Sequence, residues 1–89
     1  MTKFIWHSDP GHAWLEVTRK HLKVLGIHNK VSEYSYQFGD RIYLEEDRDA
    51  PLFFNAADAA GFTVNSLTIP ELHTDTESEV RSYESYCHD

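Results

Sequence analysis

Residues 31–45 read VSEYSYQFGDRIYLE, and this stretch decides the fold. Its first half alternates aromatic and polar side chains, as a strand with one buried face does. Gly39-Asp40 then turns the chain, and residues 41–45 return as a second run. The aromatic side chains of the first run share one face: Tyr34, Tyr36 and Phe38. The pattern predicts an antiparallel β-hairpin, and with it a sheet.

The residues before this hairpin predict a second hairpin and a short helix. Residues 3–7 and 13–17 have the apolar pattern of strands, and the turn residues Ser8-Asp9-Pro10-Gly11 separate them. Thr18 is a favourable N-cap, and Gly26 suits the left-handed conformation that often follows the last turn of a helix. The first part of the chain therefore has the order strand, strand, helix.

A second helix and a fifth strand are predicted after residue 45. Asp49 can cap a helix over residues 50–60, which contains several alanines. Residues 62–69 read as a strand whose apolar positions change face midway, so the strand needs a bulge near Asn65-Ser66. Residues 71–89 are polar and acidic, with apolar residues at helical spacing near the end.

These elements define an α+β fold. We predict one domain over residues 1–70, with an antiparallel sheet of about five strands in the order β-β-α-β-β-α-β. The two helices are expected to pack on one face of the sheet. Residues 71–89 are expected to form an acidic C-terminal tail or a short helix, loosely attached. A chain of 89 residues has room for a single core.

Charge is unevenly distributed along the chain. Residues 1–30 hold five basic and two acidic side chains, whereas residues 31–89 hold three basic and thirteen acidic ones. A net charge of −7 disfavours direct binding to nucleic acid and favours a partner with a basic surface. The single cysteine, Cys87, leaves no internal disulfide and suits a reducing cytoplasm. No apolar run is long enough to predict a membrane span.

The acidic half predicts a binding surface for a basic protein or ribonucleoprotein. Carboxylates along a sheet edge and tail can imitate the phosphates of a nucleic acid, and tyrosines are effective anchors in interfaces. The predicted partner-binding residues are Glu45, Glu46, Asp47, Asp49, Tyr34, Tyr36, Asp75, Glu77 and Glu79. A self-associating module, with the aromatic face forming a homodimer, is an alternative.

Histidines around the first turn suggest a second alternative. If the flanking strands pair, His7 and His12 approach each other across the turn, and Asp9 lies at its tip. Two imidazoles and a carboxylate can bind zinc or another transition metal. The spacing matches no standard metal motif, so we predict no cofactor. The simpler interpretation is that Asp9 shapes the turn while the histidines form hydrogen bonds around it.

Catalytic signatures are absent from the sequence. There is no G-x-S-x-G motif, P-loop or G-x-G-x-x-G motif, and Cys87 has no base placed near it in sequence. The carboxylates at residues 45–49 are expected to be solvated. We therefore predict that the protein is not an enzyme.

Several short sequence motifs within residues 4–54 resemble those of a family of small proteins from phages and prophages. They are HSDPGHAWLEV at residues 7–17, LGI at 25–27, YSY at 34–36, GD at 39–40 and YLEED at 43–47. The resemblance implies a bacterial cytoplasm and an accessory gene of a mobile element. As a class, small acidic proteins of that origin resemble inhibitors of host defence, including anti-CRISPR proteins. We therefore expect a non-enzymatic accessory protein that inhibits a host nucleic-acid-handling complex.

Overall fold

A computed structural model describes residues 4–65 and 68–87, which form a six-stranded mixed sheet with two α-helices. The predicted α+β class is confirmed. The elements are β1 (Ile5–Ser8), β2 (Ala13–Thr18), α1 (Arg19–Val24), β3 (Tyr36–Phe38), β4 (Arg41–Glu45), α2 (Asp49–Ala59), β5 (Glu71–His73), a 3₁₀ helix (Glu79–Ser82) and β6 (Glu84–Ser85). The strand order is β5-β1-β2-β4-β3-β6. Only β1 and β5 pair in parallel among these neighbours.

Both predicted hairpins are confirmed. In the central one, Tyr36 pairs with Tyr43, and Gly39 has φ 64°, a conformation that a residue without Cβ adopts at no steric cost. Strand β3 is shorter than predicted, because residues 31–35 form a turn. The Ser35 N–H donates to the Ser32 carbonyl at 3.3 Å, which bends the chain before the strand begins.

Helix α1 begins where the sequence predicts. Thr18 Oγ1 accepts from the His21 N–H at 3.2 Å, and His21 Nδ1 accepts from the Thr18 N–H at 3.0 Å. This is a capping box in which histidine takes the place usually held by Glu or Gln. After the helix, the Ile27 N–H donates to the Leu22 carbonyl at 2.9 Å, and Gly26 has φ 71°.

The core lies between the sheet and the two helices. Leu15 pairs with Leu44, and Val17 pairs with Ile42, so their side chains leave the same face of neighbouring strands. Leu22 of α1 and Phe53 of α2 belong to the same buried cluster. The prediction that both helices pack on one face of the sheet is therefore confirmed.

The opposite face of the sheet is aromatic, and we call it the aromatic face. It carries Trp14, Tyr36 and Tyr43, and Val80 of the 3₁₀ helix packs on it with 1% of its surface exposed. Burial and the nearby Glu16 carboxylate raise the pKa of Tyr43 to about 12, so this phenol remains neutral at physiological pH.

The fifth strand is not where the sequence predicts it. Residues 62–65 have no regular structure, and part of the predicted bulge lies outside the described residues. Strand β5 forms instead at Glu71–His73, parallel to β1. Pro70 lacks an N–H, but its carbonyl accepts from the Trp6 N–H at 2.8 Å and so leads the chain into the sheet.

Residues 71–87, the described part of the predicted tail, are not loosely attached. They supply β5 and β6, the two edges of the sheet, and the 3₁₀ helix that covers the aromatic face. Tyr86 is 7% exposed and donates its hydroxyl to the His28 carbonyl. Apolar burial at Val80 and Tyr86 is the physical reason why this acidic segment is held in place.

In the described part of the chain, no helix has the length and apolar character needed to cross a membrane.

Candidate functional site

A groove of about 680 Å³ lies beside the aromatic face, at the end where β4 leaves the sheet. Residues from four separate parts of the chain line it. They are His12, Trp14, Glu33, Tyr34, Tyr36, Glu45, Asp47, Arg48, Arg81 and Ser85. Four of the predicted partner-binding residues are among them, and we call this the acidic groove.

The loop after β4 forms one wall of the acidic groove. Glu45 Oε1 accepts from the N–H groups of Asp47 and Arg48, at 3.1 and 2.9 Å. The Glu45 side chain is only 13% exposed, so it positions this loop more than it faces solvent. The loop holds the exposed Asp47 side chain at the rim.

His12 stands between two carboxylates on the same wall. Its Nδ1 atom lies 3.9 Å from Glu45 Oε2 and 3.7 Å from Glu46 Oε1. This pairing follows from the sheet, because Trp14 of β2 lies opposite Glu45 of β4. The imidazole therefore lies within ion-pair distance of both carboxylates.

Tyrosines form the aromatic part of the groove. Tyr34 is 62% exposed, and the Arg48 guanidinium lies 5.3 Å from its ring centroid. Tyr36 is half-buried and meets Trp14 edge to face, with centroids 6.1 Å apart. The two predicted anchor residues thus line the same groove, where Tyr34 is exposed and Tyr36 packs on Trp14.

Arg81 is held at the groove by an ion pair with Asp9, which does not itself line the groove. Asp9 Oδ2 accepts from Arg81 Nε at 2.6 Å, and Oδ1 accepts from Arg81 Nη2 at 3.0 Å. The Asp9 side chain is 1% exposed. The Arg81 guanidinium, followed by the Ser78 N–H, holds the pKa of Asp9 well below its usual range.

The structure does not bring the predicted metal ligands together. His7 Nε2 lies 2.7 Å from Glu16 Oε1, and both oxygens of Asp9 are engaged by donors. Within residues 4–65 and 68–87, His7, Asp9 and His12 do not form a cluster able to hold an ion. The turn-shaping interpretation of Asp9 is correct, because its Oδ1 accepts from the N–H groups of Gly11 and His12.

A different set of potential ligands does converge. Three potential ligand atoms, one from each of His12, Glu45 and Asp47, all lie within 4.8 Å of one another. A nitrogen and two carboxylate oxygens suit zinc or manganese chemically. The close approach of His12 to Glu45 and Glu46 also accounts for this arrangement without a metal.

Asp49 is not part of a binding surface, which corrects the sequence prediction. It is 1% exposed and is the first residue of α2, while Arg48 occupies the N-cap position. Its carboxylate accepts from Ser32 Oγ at 2.6 Å, from Ser35 Oγ at 2.5 Å and from the Ser32 N–H at 3.1 Å. These donors explain its burial, and they tie the loop before β3 to α2.

The remaining predicted acidic residues do not line the acidic groove, although Glu46 lies 3.7 Å from His12 at its edge. Asp75, Glu77 and Glu79 are all exposed. Asp75 lies 3.4 Å from His73 Nε2, and Glu77 and Glu79 border a separate shallow pocket with His7. The structure therefore divides the predicted acidic surface into two parts.

Sequence reasoning assigned His12 to a metal site and missed five other groove residues: Trp14, Glu33, Arg48, Arg81 and Ser85. A signal existed for Arg81, because it is the single lysine or arginine after residue 48. An isolated cation within an acidic segment usually has a specific carboxylate partner when it is not exposed. Nothing local in the sequence points to Asp9 as that partner.

Comparisons with protein-family models, curated proteins and solved structures find no match to this chain.

Proposed function

We propose that this protein is a non-enzymatic binding protein whose acidic groove engages the basic surface of a partner protein or ribonucleoprotein. The observation that carries the proposal is the convergence of Tyr34, Tyr36, Glu45 and Asp47 on one groove, from two separate stretches of sequence. On the resemblance to phage proteins, we place the partner among host nucleic-acid-handling complexes of the defence, CRISPR-like type.

The charges of the groove favour a cationic partner. Three carboxylates line it, and the charge of one of its two arginines is balanced by Asp9. Glu33 and Asp47 are exposed at the rim, where they can attract a cation over roughly a Debye length of ~10 Å. The groove thus has the acidic character that a basic nucleic-acid-binding surface recognises.

The side chains of the groove support binding. Tyr34 presents an exposed ring with a polar tip, the type of residue that anchors interfaces. The hydroxyl of Ser85 donates to the Glu33 carbonyl at 2.6 Å, so it is committed to the fold. The half-buried Tyr36 and the Trp14 ring beneath it form a rigid base.

Charge reversal at the rim tests the proposal. An octapeptide of alternating lysine and arginine serves as the probe, and calorimetric titration measures its affinity at about 50 and 200 mM salt. We expect the Glu33→Lys/Asp47→Lys variant to bind at least about tenfold more weakly than the native chain. The effect should be largest at low salt.

A matched variant separates the groove from net charge. Asp40→Lys/Asp58→Lys makes the same charge change at two exposed positions that do not line the groove. It should retain most of the affinity. If both variants weaken peptide binding equally, or if neither variant weakens it, the groove is not the binding site. Sedimentation of the chain alone tests the homodimer alternative.

Cation binding is a second candidate function, because the ligand atoms of His12, Glu45 and Asp47 lie within 4.8 Å of one another. Titration of untagged protein with Zn²⁺, followed by the backbone amide NMR signals of Glu45 and Asp47, tests it. A saturable shift of these signals that is lost in His12→Gln would support this candidate. Unchanged signals at millimolar Zn²⁺ would remove it.

A further inference from the structure

We infer that the acidic groove selects arginine over lysine, so that its partner inserts an arginine side chain. This inference rests on the proposed function and names the group that the groove recognises. It is carried by the two arginines that the chain itself places there, Arg48 and Arg81. Each lies with its guanidinium over an aromatic ring of the groove, at 5.3 Å from Tyr34 and 5.2 Å from Trp14.

Arg81 shows the complete recognition geometry. Two of its nitrogens, Nε and Nη2, donate to the two oxygens of Asp9 at 2.6 and 3.0 Å. The same planar group lies over Trp14. A lysine ammonium cannot form a planar, two-point contact with a carboxylate while it stacks on a ring. Arg81 thus combines a stacked ring with a two-point carboxylate contact, an arrangement that suits a guanidinium and not an ammonium group.

Arg48 shows a position that a partner can take. Its guanidinium lies over Tyr34, which is 62% exposed, and Arg48 itself is exposed. An incoming arginine can displace Arg48 from this ring or stack on the other side of it. The exposed carboxylates of Glu33 and Asp47 line the same groove and can accept the paired hydrogen bonds that a guanidinium donates.

Two peptides of equal charge test the preference: octa-arginine and octa-lysine. Titrated into the native protein, octa-arginine should bind about two- to fivefold more tightly, as expected for one exposed stacked guanidinium. In Tyr34→Leu the preference should disappear, because octa-arginine loses more affinity than octa-lysine when the stacking ring is removed. Tyr34 lies outside the core, so this variant should keep the native NMR spectrum.

Arg48→Lys provides an independent measurement. It keeps the charge of the groove but removes the guanidinium that competes for Tyr34. Octa-arginine should bind more tightly to this variant than to the native protein, and octa-lysine should bind equally to both.

The outcomes separate the two proposals. If neither peptide responds to Glu33→Lys/Asp47→Lys, the groove does not bind basic partners and the proposed function fails. If both peptides respond and bind with the same affinity, only the arginine preference is overturned. A preference that survives in Tyr34→Leu also overturns it, because any acidic surface would then account for the difference.

Discussion

Asp9 shows how one residue can have both a local and a long-range role. Its Oδ1 atom accepts from the Gly11 and His12 N–H groups, which is the turn role that Asp-Pro-Gly predicts. Its Oδ2 atom accepts from the Ser78 N–H at 2.9 Å and from Arg81. The local role could be predicted from the neighbours of Asp9. The second role could not, because Arg81 lies 72 positions away in the sequence.

Replacing Gly11 with alanine tests the packing around this ion pair. A Cβ at this position would lie 2.8 Å from Arg81 Nη2, and the guanidinium is held by Asp9 and Trp14. We expect Gly11→Ala to lower the free energy of unfolding by about 1–3 kcal/mol, as overpacking does. Urea denaturation measures it.

The background of Arg81→Ala serves as the control for this prediction. With the guanidinium removed, the new methyl group has space, so Gly11→Ala should cost much less there. The same cost in both backgrounds would show that the clash with Arg81 is not the cause.

At the scale of elements, local signals predicted some structures well and others poorly. The two hairpins and α1 depend on contacts within a few residues, so turn and capping residues were enough to place them. The edge strands β5 and β6 contain three and two residues. Such short strands have no periodic pattern of their own, and their pairing depends on the rest of the sheet.

The capping box of α1 predicts a pH dependence of stability. Burial, with smaller effects from Arg41 and Lys20, lowers the pKa of His21 below its usual 6.5. The folded state therefore favours the neutral imidazole, whose Nδ1 accepts from the Thr18 N–H. Below pH 6.5 the unfolded chain binds this proton more readily than the folded one. The free energy of unfolding should thus decrease as the pH falls from 7 to about 5.

His21→Gln isolates this contribution. Glutamine can accept the same hydrogen bond at the third position of the helix, but it does not titrate in this range. Thermal unfolding across this pH range should show a weaker decrease for the variant than for the native chain. Identical slopes would mean that other groups cause the pH dependence.

At the scale of the whole molecule, residues 74–87 complete the fold. They cover Trp14 and Tyr43 with Val80, balance the buried Asp9 carboxylate with Arg81, and add β6 to the edge of the sheet. The expectation of a loosely attached tail followed from its polar composition. A few apolar residues and one arginine outweigh that composition, because Val80, Arg81 and Tyr86 each pack on or pair with residues of the first half of the chain.

Ending the chain after residue 78 should therefore remove cooperative unfolding. The cut exposes Trp14 and leaves Asp9 as a buried charge without its arginine. A small domain has only about 5–15 kcal/mol of stability to lose. We expect a broad thermal transition and a red-shifted tryptophan emission.

Val80→Ala in the full chain tests the same packing as this truncation with a smaller change. It should lower the free energy of unfolding by about 1–3 kcal/mol and keep a cooperative transition. A sharp native-like transition in the truncated chain would show that residues 79–89 do not support the core.

The sequence by itself determined the α+β class, the two hairpins, the cap of α1 and the acidic character of the second half. These features depend on neighbouring residues or on composition, which can be read along the chain. The tertiary structure decided the parallel pairing of β1 with β5, the burial of Asp49 and the union of Asp9 with Arg81. Each of these features depends on contacts between residues that are far apart in the sequence. The packing of the whole molecule determines which of them come together.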